Sequence, residues 1–213
     1  MAGGKRFPIL AEAILCSLGL MIFSLFIQFK FPVRLLAFVA LLISAIIISR
    51  NLKSFSDLKR ITGEFISLRI TLLYIISGIA IGIVLTLIYR WHLDLSLFPK
   101  SVHLFAISAA LIGCTEELVF RGFLQEYVKI FNGPFSIIFS TVSHTGYKCC
   151  LFLSPAITAN IDVGFLALWT LLAGILFGTI RHLSKSLLPS LSAHILFDIL
   201  VYAEFVSAPW WVW

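Results

Sequence analysis

The residues from Cys114 to Phe123 read CTEELVFRGF, and they set two carboxylates and a guanidinium inside an otherwise apolar run. Further along, His144 stands alone in a second such run, and His194 and Asp198 share a third. On a helix, Glu117 and Arg121 are one turn apart and suited to an ion pair, whereas Glu116 is turned ~100° away. His194 and Asp198 are likewise one turn apart on a common face. A carboxylate and two histidines that meet in a cavity can bind zinc, or can activate a water and stabilise an oxyanion without a metal. Either way the natural chemistry is hydrolysis.

What must position these groups follows from composition. Of 213 residues, 60% are apolar and 12% are charged. A soluble domain of this length needs far more polar surface. Successive apolar runs long enough to cross a bilayer imply a multi-pass membrane protein, and runs of that length imply helices rather than barrel strands. The expected fold is therefore all-α: a polytopic transmembrane helix bundle of about seven spans plus an amphipathic surface helix. Residues 1–100 supply N-terminal spans and the amphipathic connection, and residues 101–213 carry the polar residues above, within one integrated membrane domain.

The first run, from about Pro8 to Phe29, is too long for the apolar core of a signal peptide and is read as an uncleaved span. A second run ends near Ser49. In the segment after it, Leu52, Phe55, Leu58, Ile61 and Phe65 recur at helical steps among Lys53, Lys59 and Arg60, the pattern of a basic helix lying on a membrane surface. A third span covers about Ile70 to Tyr89. A fourth, capped by Ser101, carries the acidic motif and is broken by the NGP sequence after Phe131. A fifth starts at Pro134 and holds His144. The sixth, with Asp162 near its start, runs to Arg181 and contains Gly174 and Gly178, spaced for close packing. The seventh runs from about Lys185 to Phe205, and PWWVW closes the chain as an interfacial anchor.

Seven spans with a cytoplasmic N-terminus put Lys5, Arg6, Arg50, Lys53, Lys59, Arg60, Arg69, Lys129, Arg181 and Lys185 inside, against Lys30, Arg34, Arg90, Lys100 and Lys148 outside. That bias supports the orientation and a place in the cell membrane. The net charge of +6 is topology information of this kind and calls for no nucleic acid. Cys16, Cys114, Cys149 and Cys150 have no metal-ligand spacing.

Ionisable side chains inside a bilayer cost roughly 2.5 to 3.5 kcal/mol each, so they need partners or a wet cavity. Counted at ~1.5 Å per residue, Glu116 lies ~8 Å from the far side of the core, and His144 and His194 lie ~15 and ~13 Å in from that same side. All three are expected in the cytoplasmic half. The bland readings are also defined. Glu117 with Arg121 alone is an ordinary interior ion pair, and a lone His144 is a packing hydrogen-bonder. Arg181 and His182 are a snorkelling helix end, while Glu12, His92, His103 and Glu204 are interface residues.

The segments EELVFRGFL, the histidine of the next helix and HILFD resemble the CPBP family of intramembrane proteases, which includes the type II CAAX prenyl endopeptidases and proteins of bacteriocin processing and immunity. The resemblance covers about Ile107 to Ala203. EExxxR and HxxxD match in full, while Ser140 stands where the family's FxxxH motif has phenylalanine. The resemblance implies that Glu116 and His144 activate the hydrolytic water and that His194 and Asp198 bind the oxyanion, with Glu117 and Arg121 in support. No cofactor is expected; if zinc is bound, Glu116, His144 and His194 are its ligands. The implied partners are membrane lipids and a peptide or lipidated-peptide substrate. Two other classes are a non-catalytic immunity or scaffold protein of the same fold and a proton-coupled transporter. The transporter lacks the expected internal repeats, and the scaffold has no need of Glu116 and His194.

Overall fold

A computed structural model describes residues 6–63, 67–156 and 162–206. Among them, helices are the only regular elements: α1 (Arg6–Phe26), α2 (Leu35–Arg50), α3 (Phe55–Thr62), α4 (Leu68–His92), α5 (Leu104–Glu117), α6 (Gln125–Val128), α7 (Gly133–Leu153), α8 (Val163–Ser184) and α9 (Leu188–Tyr202). Lys5, Phe65 and the closing PWWVW lie outside the described residues. By length and apolarity three helices, α1, α4 and α8, can each cross a bilayer, and a fourth span arises if α2 and α3, bent by 108°, are counted together. The expected seven spans are thus met only in part. α5 and α9 are short, 14 and 15 residues, and the acidic motif interrupts the apolar run of α5.

The chain divides into two compact units, 1–61 with 123–175 and 62–122 with 176–213. In the first, α1 packs on α2 and α7 through small residues. Ala13, Cys16, Ser17 and Gly19 of α1, and Ala37, Ala40 and Ser44 of α2, are buried. The Ser44 hydroxyl donates to the Cys16 and Ala40 carbonyls at 3.2 and 3.1 Å. The Ser17 and Ser143 hydroxyls, 2.9 Å apart, join α1 to α7, and the Gln28 amide donates to the Leu151 carbonyl at 3.0 Å. The large side chains point the other way: Leu36, Phe38, Val39, Leu42 and Ile46 of α2 are all exposed. Such an apolar exterior over a small, hydroxyl-rich interior fits lipid as the surrounding solvent, where close backbone approach and interhelical hydrogen bonds replace hydrophobic burial.

In the second unit, α9 packs between α4 and α5. A Cβ added at Gly78 would lie 2.2 Å from the Pro189 carbonyl oxygen, and one at Gly82 would lie 2.5 Å from that of Ala193. These two glycines therefore set how closely α4 approaches α9. At the other end, the buried Arg90 guanidinium donates to the Ser96 and Leu200 carbonyls at 2.6 and 2.8 Å and pairs with Glu204 at 2.7 Å. Glu204 also accepts the Lys100 backbone N–H at 2.9 Å. This arginine, counted from the sequence among the charges outside the membrane, ties the last turn of α4 to the end of α9.

The helix boundaries correct several expectations. α5 starts at Leu104 with no side-chain cap; the His103 N–H donates to the Ala203 carbonyl at 2.8 Å, so Ser101 is not the cap. Asn132 and Asp162 do cap α7 and α8, accepting from the Phe135 and Phe165 N–H groups at 2.7 and 2.8 Å. α3 is shorter than its apolar pattern and begins at Phe55, where the Asp57 carboxylate accepts from the Lys53 and Ser54 N–H groups at 3.1 Å each. Its Phe55 and Leu58 are exposed while Ile61 is buried. Arg181 is buried in the last turn of α8 rather than extended toward an interface.

A buried carboxylate and histidine cluster as candidate active site

The buried face of α5 changes character along its length. Ala106, Ala109, Ala110 and Gly113 come first, then Glu116 and Glu117. α9 runs antiparallel to it, since His103 meets Ala203 at one end and Glu117 meets His194 at the other. That register places the HxxxD pair of α9 beside Gly113, Glu116 and Glu117.

His194 is the hub. Its Nδ1 lies 3.0 Å from the Glu117 Oε1, and its Nε2 lies 3.6 Å from the Asp198 Oδ2 and 3.8 Å from the Glu116 Oε2. The first distance is a hydrogen bond; the other two are ion-pair separations. The same Glu117 oxygen lies 3.3 Å from the Arg121 Nη1, with both side chains fully buried. Phe177 of α8 closes one side, its ring centroid 5.5 Å from that of His194 and 5.9 Å from the Arg121 guanidinium carbon. If Nδ1 donates to Glu117, the imidazole ring is fixed in orientation and Nε2 faces the Glu116 and Asp198 carboxylates.

Arg121 does not sit on a regular α-helix. Between α5 and α6 the segment Leu118–Leu124 is π-helical, a wider turn that frequently marks functional positions. The expected ion pair between Glu117 and Arg121 forms at this junction, but Glu117 also supports His194, which its spacing to Arg121 did not announce.

The structure thus brings together Glu116, Glu117, Arg121, His194 and Asp198, all in the second unit. His144 belongs to the first, in the middle of α7, where it is buried and stacks on Tyr147 with ring centroids 6.4 Å apart. Two contributors escaped the sequence reading. Phe177 is one aromatic among many in an apolar run, and Gly113 is one glycine in a helix; neither type signals a site by itself. Among the described residues, no group of three or more His, Cys, Asp or Glu side chains is arranged to hold a metal ion.

A helical, multi-pass membrane protein with a histidine buried among three carboxylates is the class these observations define. Residues 98–200 match the model of the type II CAAX prenyl endopeptidase Rce1-like family. This region contains all six candidate residues, and the match supports the resemblance to the CPBP family of intramembrane proteases. No curated protein and no solved structure matches the chain.

Proposed function

We propose that the protein is an intramembrane endopeptidase that hydrolyses a peptide bond near a chain terminus. The observation that carries this reading is the His194 ring, held by Glu117 at one nitrogen and turned with the other toward Glu116 and Asp198 in a buried setting. In this reading Glu116 orients a water and accepts its proton as the water oxygen attacks the peptide carbonyl. The carbonyl becomes a tetrahedral oxyanion, which accepts hydrogen bonds from His194 Nε2–H and from a protonated Asp198. The C–N bond then breaks, the proton held by Glu116 passes to the leaving amine, and the acyl half departs as a carboxylic acid. Glu117 and Arg121 hold the ring and its surroundings in place.

The protein lies in the cell membrane with its N-terminus in the cytoplasm and about seven spans, in contact with lipids throughout. The depth of Glu116 and His194 supports access from the cytoplasmic half. A peptide end, or a segment tethered by a lipid group in the adjacent leaflet, then reaches the centre without crossing the membrane; a prenylated C-terminal tail is the substrate that the family suggests. Protein oriented in sealed vesicles and given a quenched fluorescent peptide on one face at a time tests this. Turnover is expected from the cytoplasmic face and lost in Glu116→Ala. Turnover only from the opposite face overturns the topology, and equal rates for wild type and Glu116→Ala overturn the site.

A further inference from the structure

Gly113 lies one turn before Glu116 and Glu117 on the buried face of α5. A Cβ built on it would fall 2.3 Å from the Asp198 Oδ2, 3.1 Å from the His194 Cδ2 and 3.3 Å from the His194 Nε2. The contrast with the neighbouring face is informative. Ala109 and Ala110, one turn earlier, carry their methyl groups in buried positions, so α5 stands off far enough there to admit a side chain. The α4 glycines differ in another way, since the atoms nearest their missing Cβ positions are backbone atoms of Pro189 and Ala193. At Gly113 the space of the absent side chain borders the polar ends of two residues assigned to the reaction.

We propose that Gly113 is a positioning residue: its lack of a side chain lets the Asp198 carboxylate and the His194 ring seat against α5, within reach of Glu116. The proposal rests on the protease reading for its kinetic consequence, but its structural content stands apart. Asp198 is short and buried, with few rotamers to retreat into, and a methyl group at 113 moves its carboxylate out of the place it holds 3.6 Å from His194 Nε2. A displacement of about 1 Å in such a constellation can lower turnover by about 100-fold. Substrate binding elsewhere in the protein is untouched by it, so the loss falls on kcat.

The test is a double-mutant cycle of Gly113→Ala, Asp198→Ala and the double variant, with the full chain purified in detergent. Gly113→Ala is expected to lower kcat by about 10- to 100-fold while KM changes by less than about threefold. The coupling itself is read in the thermal unfolding midpoint, which needs no activity. Gly113→Ala lowers the midpoint in the wild-type background and has a clearly smaller effect with Asp198→Ala, where the obstructing oxygen is gone. A midpoint loss that repeats in full in the Asp198→Ala background overturns the proposal, as does a Gly113→Ala protein that keeps wild-type kcat and midpoint. Absence of cleavage by the wild type overturns the protease reading instead, and the midpoint cycle then decides Gly113 alone.

Discussion

A single oxygen, the Oε1 of Glu117, lies 3.0 Å from the Nδ1 of His194 and 3.3 Å from the Nη1 of Arg121. One carboxylate therefore serves both as the counter-ion of a buried guanidinium and as the anchor of the histidine at the centre of the cluster. Its removal takes one partner away from each of them.

Glu116 and Glu117 should accordingly fail in different ways. Glu116→Ala abolishes peptide cleavage with little change in the unfolding midpoint, because its assigned task is proton transfer. Glu117→Ala destabilises the protein by about 3 to 5 kcal/mol, the cost of removing one partner of a buried ion pair, and leaves a reduced but measurable rate. Rates and melting curves of the two variants in detergent check this. Equal, mild losses in both would refute the assignment of Glu116 as the base.

Metal content offers an independent check. The mechanism above uses no ion, so active enzyme is expected to carry well under one equivalent of zinc and to keep its rate after chelation. Elemental analysis of active protein together with a chelator titration decides the matter, and stoichiometric zinc with reversible inactivation would replace the glutamate and histidine scheme.

The α4 glycines predict a packing defect. Gly82→Leu places a branched side chain where the Ala193 carbonyl oxygen already lies 2.5 Å from a bare Cβ position, and overpacking of this kind costs about 1 to 3 kcal/mol or more. Loss of activity should accompany it, since α9 carries His194 and Asp198. A purified Gly82→Leu protein with an unchanged melting midpoint would show that α4 and α9 are not so closely apposed.

Glu204, beyond the last turn of α9, gives the protein a pH dependence. The Lys100 N–H, and then the Arg90 guanidinium, hold its carboxyl below the ordinary carboxylate value. A lowered folded-state pKa means that the contribution to stability is present above the unfolded value and is lost as pH falls through the folded one. The wild-type midpoint should therefore decline below about pH 4.5, and part of that decline should vanish in Glu204→Gln. Arg90→Ala should cost about 2 to 3 kcal/mol by leaving acceptors unsatisfied. Midpoints measured across pH for the wild type and both variants test these claims together.

Much of the cluster was legible because charge inside an apolar run is expensive and therefore conspicuous. Glu116, Glu117, Arg121, His194 and Asp198 stood out on that ground, and the structure gathers these five, with Glu116 3.8 Å from His194. Gly113 and Phe177 did not stand out, because the meaning of a small or an aromatic residue depends on what lies opposite, and that is a tertiary fact. The burial of Arg90 was not legible, because a positive charge at a span end is ordinarily solvated or lipid-facing. The π-helical stretch Leu118–Leu124 has the composition of any apolar helix. Three or four of the spans were legible in the same way, but apolar runs show what lipid tolerates, whereas where a helix starts and stops also depends on contacts such as that of His103 with Ala203.

The inward placement of small and hydroxyl side chains, with Leu36, Phe38 and Leu42 facing outward, reverses the usual map of mutational tolerance. In a water-soluble protein the bulky aliphatic residues are the fixed points and the exterior drifts. Here the outward-facing bulky residues of α2 are interchangeable with one another, because lipid accepts any of them, while an added methyl at Gly82 or Gly113 meets a neighbour at once.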